Sequence, residues 1–295
     1  MEKLQNNTNK ERISLALGFF DCVHKAHREI LLRCKSFAQK QNVKCAVFTF
    51  YDNIKPNSKQ VYTFTEKSKI LKDLGIDKII ALHFDDTTKN LTAQEFLSHL
   101  TNEYEIISIF CGNDYRFGKD RIGDTKYLKK FCHDNNIYLD IVGEITNNGE
   151  RISSSLIKDL LLEGNIEKAN FLLGDAYFFQ GKVVQGRGDG KKIGIPTVNL
   201  EVNNDKFIPK NGVYATITEI DGNEYKSVTN VGAKPTLNDG TLSVETHISQ
   251  FAQNVYGKQI TVRFYKYLRE IKKFANVDDL VNQVKNELKQ WEEEC

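Results

Sequence analysis

Cysteine motifs, proline, methionine and long apolar runs are all scarce in this chain. Its 295 residues include four prolines, one methionine and one tryptophan. Six cysteines (Cys22, Cys34, Cys45, Cys111, Cys132, Cys295) show no Cys-x-x-Cys spacing, so no redox or zinc motif of that kind is present. Most sit in apolar runs, as reduced core thiols do. No run approaches the roughly eighteen apolar residues of a membrane span, and Met1 to Lys10 is polar and rich in asparagine, unlike a secretory leader. Neither sign of charge dominates. A formal net charge of +2 offers no broad basic face for nucleic acid and no acidic partner surface. The expectation is a cytoplasmic protein without nucleic-acid or membrane partners.

What is there begins with length. At 295 residues the chain has room for two domains, each with its own core. The first half alternates short apolar strands with amphipathic helices. Strands are predicted at Ile13–Leu17, Cys45–Phe50, Lys78–Leu82 and Ile106–Cys111. Helices are predicted at His24–Gln39, at Lys67–Leu74 stopped by Gly75, and at Thr92–Leu100, where Thr92 and Glu95 form a capping box. This alternation predicts a doubly wound, Rossmann-like parallel sheet, which binds ligands beyond the carboxyl ends of its strands.

Three features fall at such ends. His24 and His27, three apart at a helix start, share a face beside the positive end of the helix dipole, a place suited to polyphosphate. Taken alone, such a pair is more often incidental, and a metal would lack a third ligand. Gly112-Asn113-Asp114-Tyr115-Arg116-Phe117-Gly118 combines polar, cationic and aromatic groups, and reads either as a phosphate and ring contact or as a polar turn. Ile152-Ser153-Ser154-Ser155 then caps a helix expected at Ser154–Glu163, with Lys158 one turn in. Capping accounts for one serine, not for three with a lysine.

The pattern changes near Gly174–Tyr177. Alternating strands follow at Phe178–Gln185, Gly212–Glu219, Glu224–Val231, Leu242–Ser249 and Gln259–Leu268, with turns at Asp221-Gly222 and Asn238-Asp239-Gly240. Strands without intervening helices predict a small Greek-key barrel. A last helix, Val277 to Trp291, carries one apolar stripe to pack on it. Between the first two strands lies the richest stretch of the chain. Glycines at 186, 188, 190 and 194 surround Lys191 and Lys192, and Pro196-Thr197-Val198-Asn199 follows. Glycine amides approach a phosphate chain closely, lysines add charge, and a Thr hydroxyl and an Asn carbonyl are hard oxygens suited to Mg²⁺. No GxxxxGK[ST] loop occurs.

Gly194-Ile195-Pro196-Thr197-Val198-Asn199 resembles the GxPTAN motif of riboflavin kinases, with Val198 for alanine. In the first half, Gly18-Phe19-Phe20-Asp21-Cys22-Val23-His24-Lys25-Ala26-His27, Gly112–Gly118 and Ser153–Lys158 resemble GxFDGxHxGH, GxDFRFG and SSTxIR of bacterial FAD synthetases, in the same order. The chain is therefore similar, nearly end to end, to prokaryotic bifunctional riboflavin kinase/FAD synthetases. That resemblance implies an adenylyltransferase domain at 1–175 and a kinase domain at 176–295. It implies ATP, riboflavin and FMN as substrates, with Mg²⁺.

The resemblance also assigns residues. In the first domain it gives His24 and His27 catalytic charge stabilisation, and nucleotide or phosphate contacts to Gly18, Phe20, Asp21, Asn113, Arg116, Ser153, Ser154 and Lys158. In the second it gives ATP contacts to Gly181, Lys182, Gly186, Lys191, Gly194, Thr197 and Asn199, the last two also holding Mg²⁺. Glu245 matches the catalytic carboxylate, and Asn230, Arg269 and Phe274 the flavin contacts.

Departures concentrate in the first domain. Ala26 and Cys22 replace glycines, Phe19 stands where asparagine is usual, Lys158 stands for arginine, and the TFxPHP segment becomes Thr49-Phe50-Tyr51-Asp52-Asn53-Ile54-Lys55-Pro56, without its histidine. A methyl at 26 would crowd a closely bound nucleotide, and Cys22 would carry strain if that position has φ above zero. Two further readings stay open at this point. One is a riboflavin kinase with a degenerate adenylyltransferase domain. The other is a flavin-responsive regulatory or RNA-binding protein, against which the balanced charge argues.

Overall fold

The structure, a computed structural model, describes residues 10–54, 58–186, 188–233 and 242–294. Lys55-Pro56, the Asn238-Asp239-Gly240 turn and Cys295 lie outside the described residues. Two compact units divide at Ser153/Ser154.

In the first unit, strands β1 (Glu11–Leu17), β2 (Lys44–Phe50), β3 (Lys78–Leu82), β4 (Tyr104–Gly112) and β5 (Tyr138–Val142) form a parallel sheet in the order β3-β2-β1-β4-β5. Helices α1 (Lys25–Gln41), α2 (Phe64–Asp73), the short α3 (Asp86–Lys89), α4 (Ala93–Glu103) and α5 (Thr125–Asp134) connect the strands. The predicted Rossmann-like sheet is present. Leu15, Phe48, Phe96, Leu97, Ile109 and Leu128 join one buried cluster across it, each worth about 1.5–3 kcal/mol relative to exposure. Helix α2 begins at Phe64, earlier than expected, because Thr63 and Glu66 form a reciprocal capping box there. The order reverses between β1 and β4, so the chain leaves the sheet in opposite directions and opens a crevice beyond those two ends. A two-stranded hairpin, β6 (Thr146–Asn147) and β7 (Glu150–Arg151), closes the unit.

The second unit opens with α6 (Ser154–Glu163) and α7 (Ile166–Leu173). Helix α7 is tied to the strands that follow: Asn170 donates its side-chain amide to the Phe264 carbonyl at 2.7 Å and accepts from the Tyr177 amide at 2.8 Å. Strands β8 (Tyr177–Val184), β9 (Thr197–Glu201), β10 (Gly212–Ile220), β11 (Asn223–Ala233), β12 (Leu242–Ile248) and β13 (Gln259–Arg269) close into an antiparallel barrel in the order β10-β11-β12-β9-β8-β13. A short helix α8 (Asp189–Lys192) lies between β8 and β9. Helix α9 (Val277–Glu293) packs on β10 and β11, with Leu288 against Val213 and Val228 and the Trp291 indole donating to the Thr216 carbonyl at 2.8 Å. The barrel and its helix match expectation, with one correction. Thr197–Glu201, read from sequence as part of a loop, is the sixth strand. Only five residues long, it carries too little alternation to declare itself.

Candidate functional sites

The turn after β1 holds two non-glycine residues in left-handed backbone. Phe20 and Val23 have φ of 53° and 45°, a strain on the order of 1–3 kcal/mol each for non-glycine residues. Cys22 is not among the positive-φ residues, so the strain expected there lies on its neighbours. Gly18 is required: a Cβ at that position would come within 2.7 Å of the Phe20 ring. Asp21 is buried and accepts from the Val61 amide at 2.8 Å, fixing the turn from below.

His24 caps α1 by accepting the His27 amide on Nδ1 at 3.2 Å. The two imidazoles stack with centroids 3.8 Å apart, and the Phe20 ring meets His27 edge-on at 5.2 Å. Burial pulls the His24 pKa from 6.5 to about 4, opposed by its backbone hydrogen bond and by Asp114. His27 is held well below its ordinary value by burial first, then by His24 and Lys67. Both rings are therefore neutral near pH 7. The His27 Nδ1 is buried and has no hydrogen-bond partner.

Above this turn a cavity of about 850 Å³ opens at the strand ends. Gly18, Phe20, His27 and Arg116 line it, with an aromatic wall of Phe48, Phe50, Phe84, Phe96, Tyr115 and Phe117. The lining joins these rings to at least as many polar and charged groups, among them Asp85, Asp114, Arg116 and Lys119, so the volume suits a fused ring that carries charged substituents. Arg116 sits at its rim, 3.4 Å from Asp124. Asn113 does not line this cavity. It is exposed and faces a separate hollow of about 580 Å³ with Thr125, Lys129 and His133. Helix α6 spans Ser154–Glu163, the bounds expected from sequence, so Ser154 and Ser155 occupy its first turn and only Ser153 precedes it. Ser154 and Lys158 fall in the second unit, where the Lys158 ammonium stands 5.5 Å from the Phe207 ring centroid. Sequence reasoning missed Lys67. It is completely buried and donates to the carbonyls of Phe19 (3.1 Å) and Phe50 (3.2 Å) and to the Thr49 hydroxyl (2.9 Å). The one available signal was the Thr63/Glu66 box, which sets Lys67 in the first turn of α2.

On the barrel, the register gathers residues that are far apart in sequence. Val184 pairs with Asn199, Asn199 with Glu245, Glu245 with Asn230, Asn230 with Val213, and Val213 with Arg269 beside a register shift. Each of the six strands contributes one residue to this row. Cross-strand partners share a face, so Asn199, Glu245 and Asn230 stand side by side. Thr197 lies two residues before Asn199 and opposite His247, whose Nδ1 donates to the Pro196 carbonyl at 2.9 Å. The alternate positions Thr246, Thr229 and Thr216 are fully buried and joined through hydroxyls at 2.8–2.9 Å. Glu245 is half-buried and accepts from the Ser243 hydroxyl at 3.0 Å.

The loop into β9 crowds the same face. A Cβ at Gly186 would fall 2.2 Å from Asn199 Nδ2, so glycine alone lets the loop lie against that side chain. Lys191 is exposed on α8, Gly194 follows it with φ of 78°, and Gly181 and the exposed Lys182 belong to β8. Arg269 pairs with Glu287 of α9 at 2.5 Å and stands 5.5 Å from the Phe274 ring. A hollow of about 440 Å³ beside Phe274 is lined by Lys272, Lys273 and residues of α9. Among the described residues no cluster of three His, Cys, Asp or Glu side chains is arranged for a metal.

Residues 6–156 match the family model described as FAD synthetase, and residues 173–295 match that described as riboflavin kinase. The bifunctional riboflavin kinase/FMN adenylyltransferase of Listeria monocytogenes is 31% identical over 281 residues, covering 92% of this chain and 89% of that one. This chain belongs to that family. The Bacillus subtilis member is 30% identical, over 92% of this chain and 89% of its own length. A crystal structure described as a macrolide-efflux protein from Streptococcus pneumoniae superposes with a TM-score of 0.83 at 30% identity, covering 93% of this chain and 92% of that one. Among the described residues, no helix here is long and apolar enough to cross a membrane. Because family models match both halves, the bifunctional reading stands over the kinase-only and regulatory ones.

Proposed function

We propose that this family member makes FAD from riboflavin in two ATP-dependent steps, the first carried by residues 176–295 and the second by residues 1–175. In the first, Glu245 accepts the proton of the riboflavin 5′-hydroxyl as that oxygen attacks the γ-phosphorus of ATP, and ADP leaves with the other electron pair. The observation that carries this reading is the row Asn199–Glu245–Asn230, a carboxylate flanked by two amide side chains on one face.

Thr197 and Asn199 would hold Mg²⁺. Their hard oxygens beside the Glu245 carboxylate suit it. Bound there, it would neutralise polyphosphate charge. Gly186 keeps the loop close to Asn199, while Gly181, Lys182, Lys191 and Gly194 serve ATP. Asn230, Arg269 and Phe274 serve the flavin.

In the second step a phosphate oxygen of FMN attacks the α-phosphorus of a second ATP, and pyrophosphate departs. His24 and His27 meet the charge that develops, and the unpartnered His27 Nδ1 supports this assignment. Gly18, Phe20, Asp21 and Arg116 shape the cavity side. Asn113, Ser153, Ser154 and Lys158 keep the nucleotide and phosphate roles that their motifs suggest. We place the protein in the cytoplasm with small-molecule substrates and without nucleic-acid or membrane partners, a reading supported by the near-balanced charge of +2.

The test is a chromatographic time course with riboflavin, ATP and Mg²⁺, repeated from FMN. FMN followed by FAD is expected. FMN that accumulates from riboflavin, with no FAD from either start, would refute the second step.

A further inference from the structure

Lys67 has no part in the chemistry above, yet it is the most deeply set cation of the first unit's site, with no accessible surface. An ammonium has three N–H donors, and all three are spent on neutral oxygens: the Phe19 carbonyl, the Phe50 carbonyl and the Thr49 hydroxyl. Thr49 in turn donates to the same Phe19 carbonyl at 2.8 Å. Phe19 and Phe50 both line the 850 Å³ cavity, and Phe19 sits between Gly18 and the left-handed Phe20. One side chain from α2 thus joins the ends of β1 and β2 beside the left-handed backbone of Phe20.

We propose that Lys67 is a positioning residue for adenylyl transfer, resting on the reading above: it fixes the turn that carries His24 and His27 and keeps a positive charge under the cavity. With its donors all in use, it acts on a polyphosphate through the field and through the turn rather than by contact. A charge buried in a low-dielectric floor and already oriented stabilises an approaching anion without reorganising. The titratable groups bearing on it are Asp21, after β1, and His27, on α1, while β2 presents the Thr49 hydroxyl and the Phe50 carbonyl. Burial pulls the lysine down to about 8, against the opposing influence of Asp21, so the charge is present at neutral pH and is lost in mildly alkaline solution.

The test uses the full chain with FMN and MgATP, measuring kcat/KM for FAD formation from about pH 6 to pH 10. Riboflavin phosphorylation by the same molecules serves as the internal control. Lys67→Met is expected to lose at least about tenfold in FAD formation with phosphorylation unchanged. Lys67→Arg is expected to recover most of that loss, with the alkaline fall displaced upward because a guanidinium does not titrate there. A Lys67→Met protein with wild-type FAD formation, or a Lys67→Arg protein whose alkaline fall stays where the wild type has it, would overturn the proposal. If Lys67→Met fails to fold, the Arg profile alone decides. Wild-type protein that makes no FAD from FMN refutes the parent reading, and the proposal with it, before any substitution is compared.

Discussion

The imidazoles of His24 and His27 lie parallel within 14°, 3.8 Å apart, and burial lowers the proton affinity of both. A histidine with depressed pKa binds fewer protons folded than unfolded, so its contribution is full above the unfolded value and is lost as pH falls. For His24 that window runs from 6.5 down to about 4, and the loss across it is about 3 kcal/mol. The first unit should therefore weaken in urea as pH drops from neutral to about 5. His24→Asn, which retains a capping side chain, should flatten that dependence. An unchanged slope would mean that the ring is not held neutral.

Glu245→Gln keeps the shape of the row but removes the acceptor for the hydroxyl proton. FMN formation should fall by at least about a hundredfold. FAD formation from supplied FMN should stay at the wild-type rate. Loss of both in a folded variant would refute the division of labour between the two halves.

Gly186→Ala forces Asn199 to move, because the new methyl would sit 2.2 Å from its amide nitrogen. Displacement by about an ångström can cost a hundredfold in rate. The expected signature is a raised KM for MgATP in riboflavin phosphorylation, measured by titrating ATP at fixed Mg²⁺ excess. A wild-type KM would show that the loop has another way round.

Glu287→Ala should leave the guanidinium of Arg269 largely buried and unpaired. Side-chain exposures of 5% and 18% put the pair out of water, and breaking such a pair costs about 3 kcal/mol or more. A lower denaturant midpoint for the second unit and a higher KM for riboflavin are expected. If stability is unchanged, α9 is not anchored through this contact.

Much of this was legible in the sequence, for identifiable reasons. Periodic apolar residues marked β1, β2, β4 and α1, and Ile30, Leu31, Cys34 and Ala38 are the buried face of that helix. The motifs fell where glycines and short polar side chains make turns. The failures also have causes. Strand β5 was missed because it is a half-exposed edge strand whose residues give little contrast. Strand β9 was hidden inside its own motif. Lys67 was invisible because burial of a lysine depends on which carbonyls the fold brings to it. Nor does any spacing rule bring Asn230 beside Glu245, since only strand pairing does.

The row from Val184 to Arg269 is built from six strands, and this sets what kinds of change the kinase half can absorb. Replacing one residue alters one place in the row. Losing or gaining one residue within β9, β11 or β12 would turn the side chains beyond it to the opposite face. Closure of the barrel passes that misfit to the neighbouring strands. Drift in this half is therefore expected to proceed by substitution inside the strands, with changes of length confined to the connections between them.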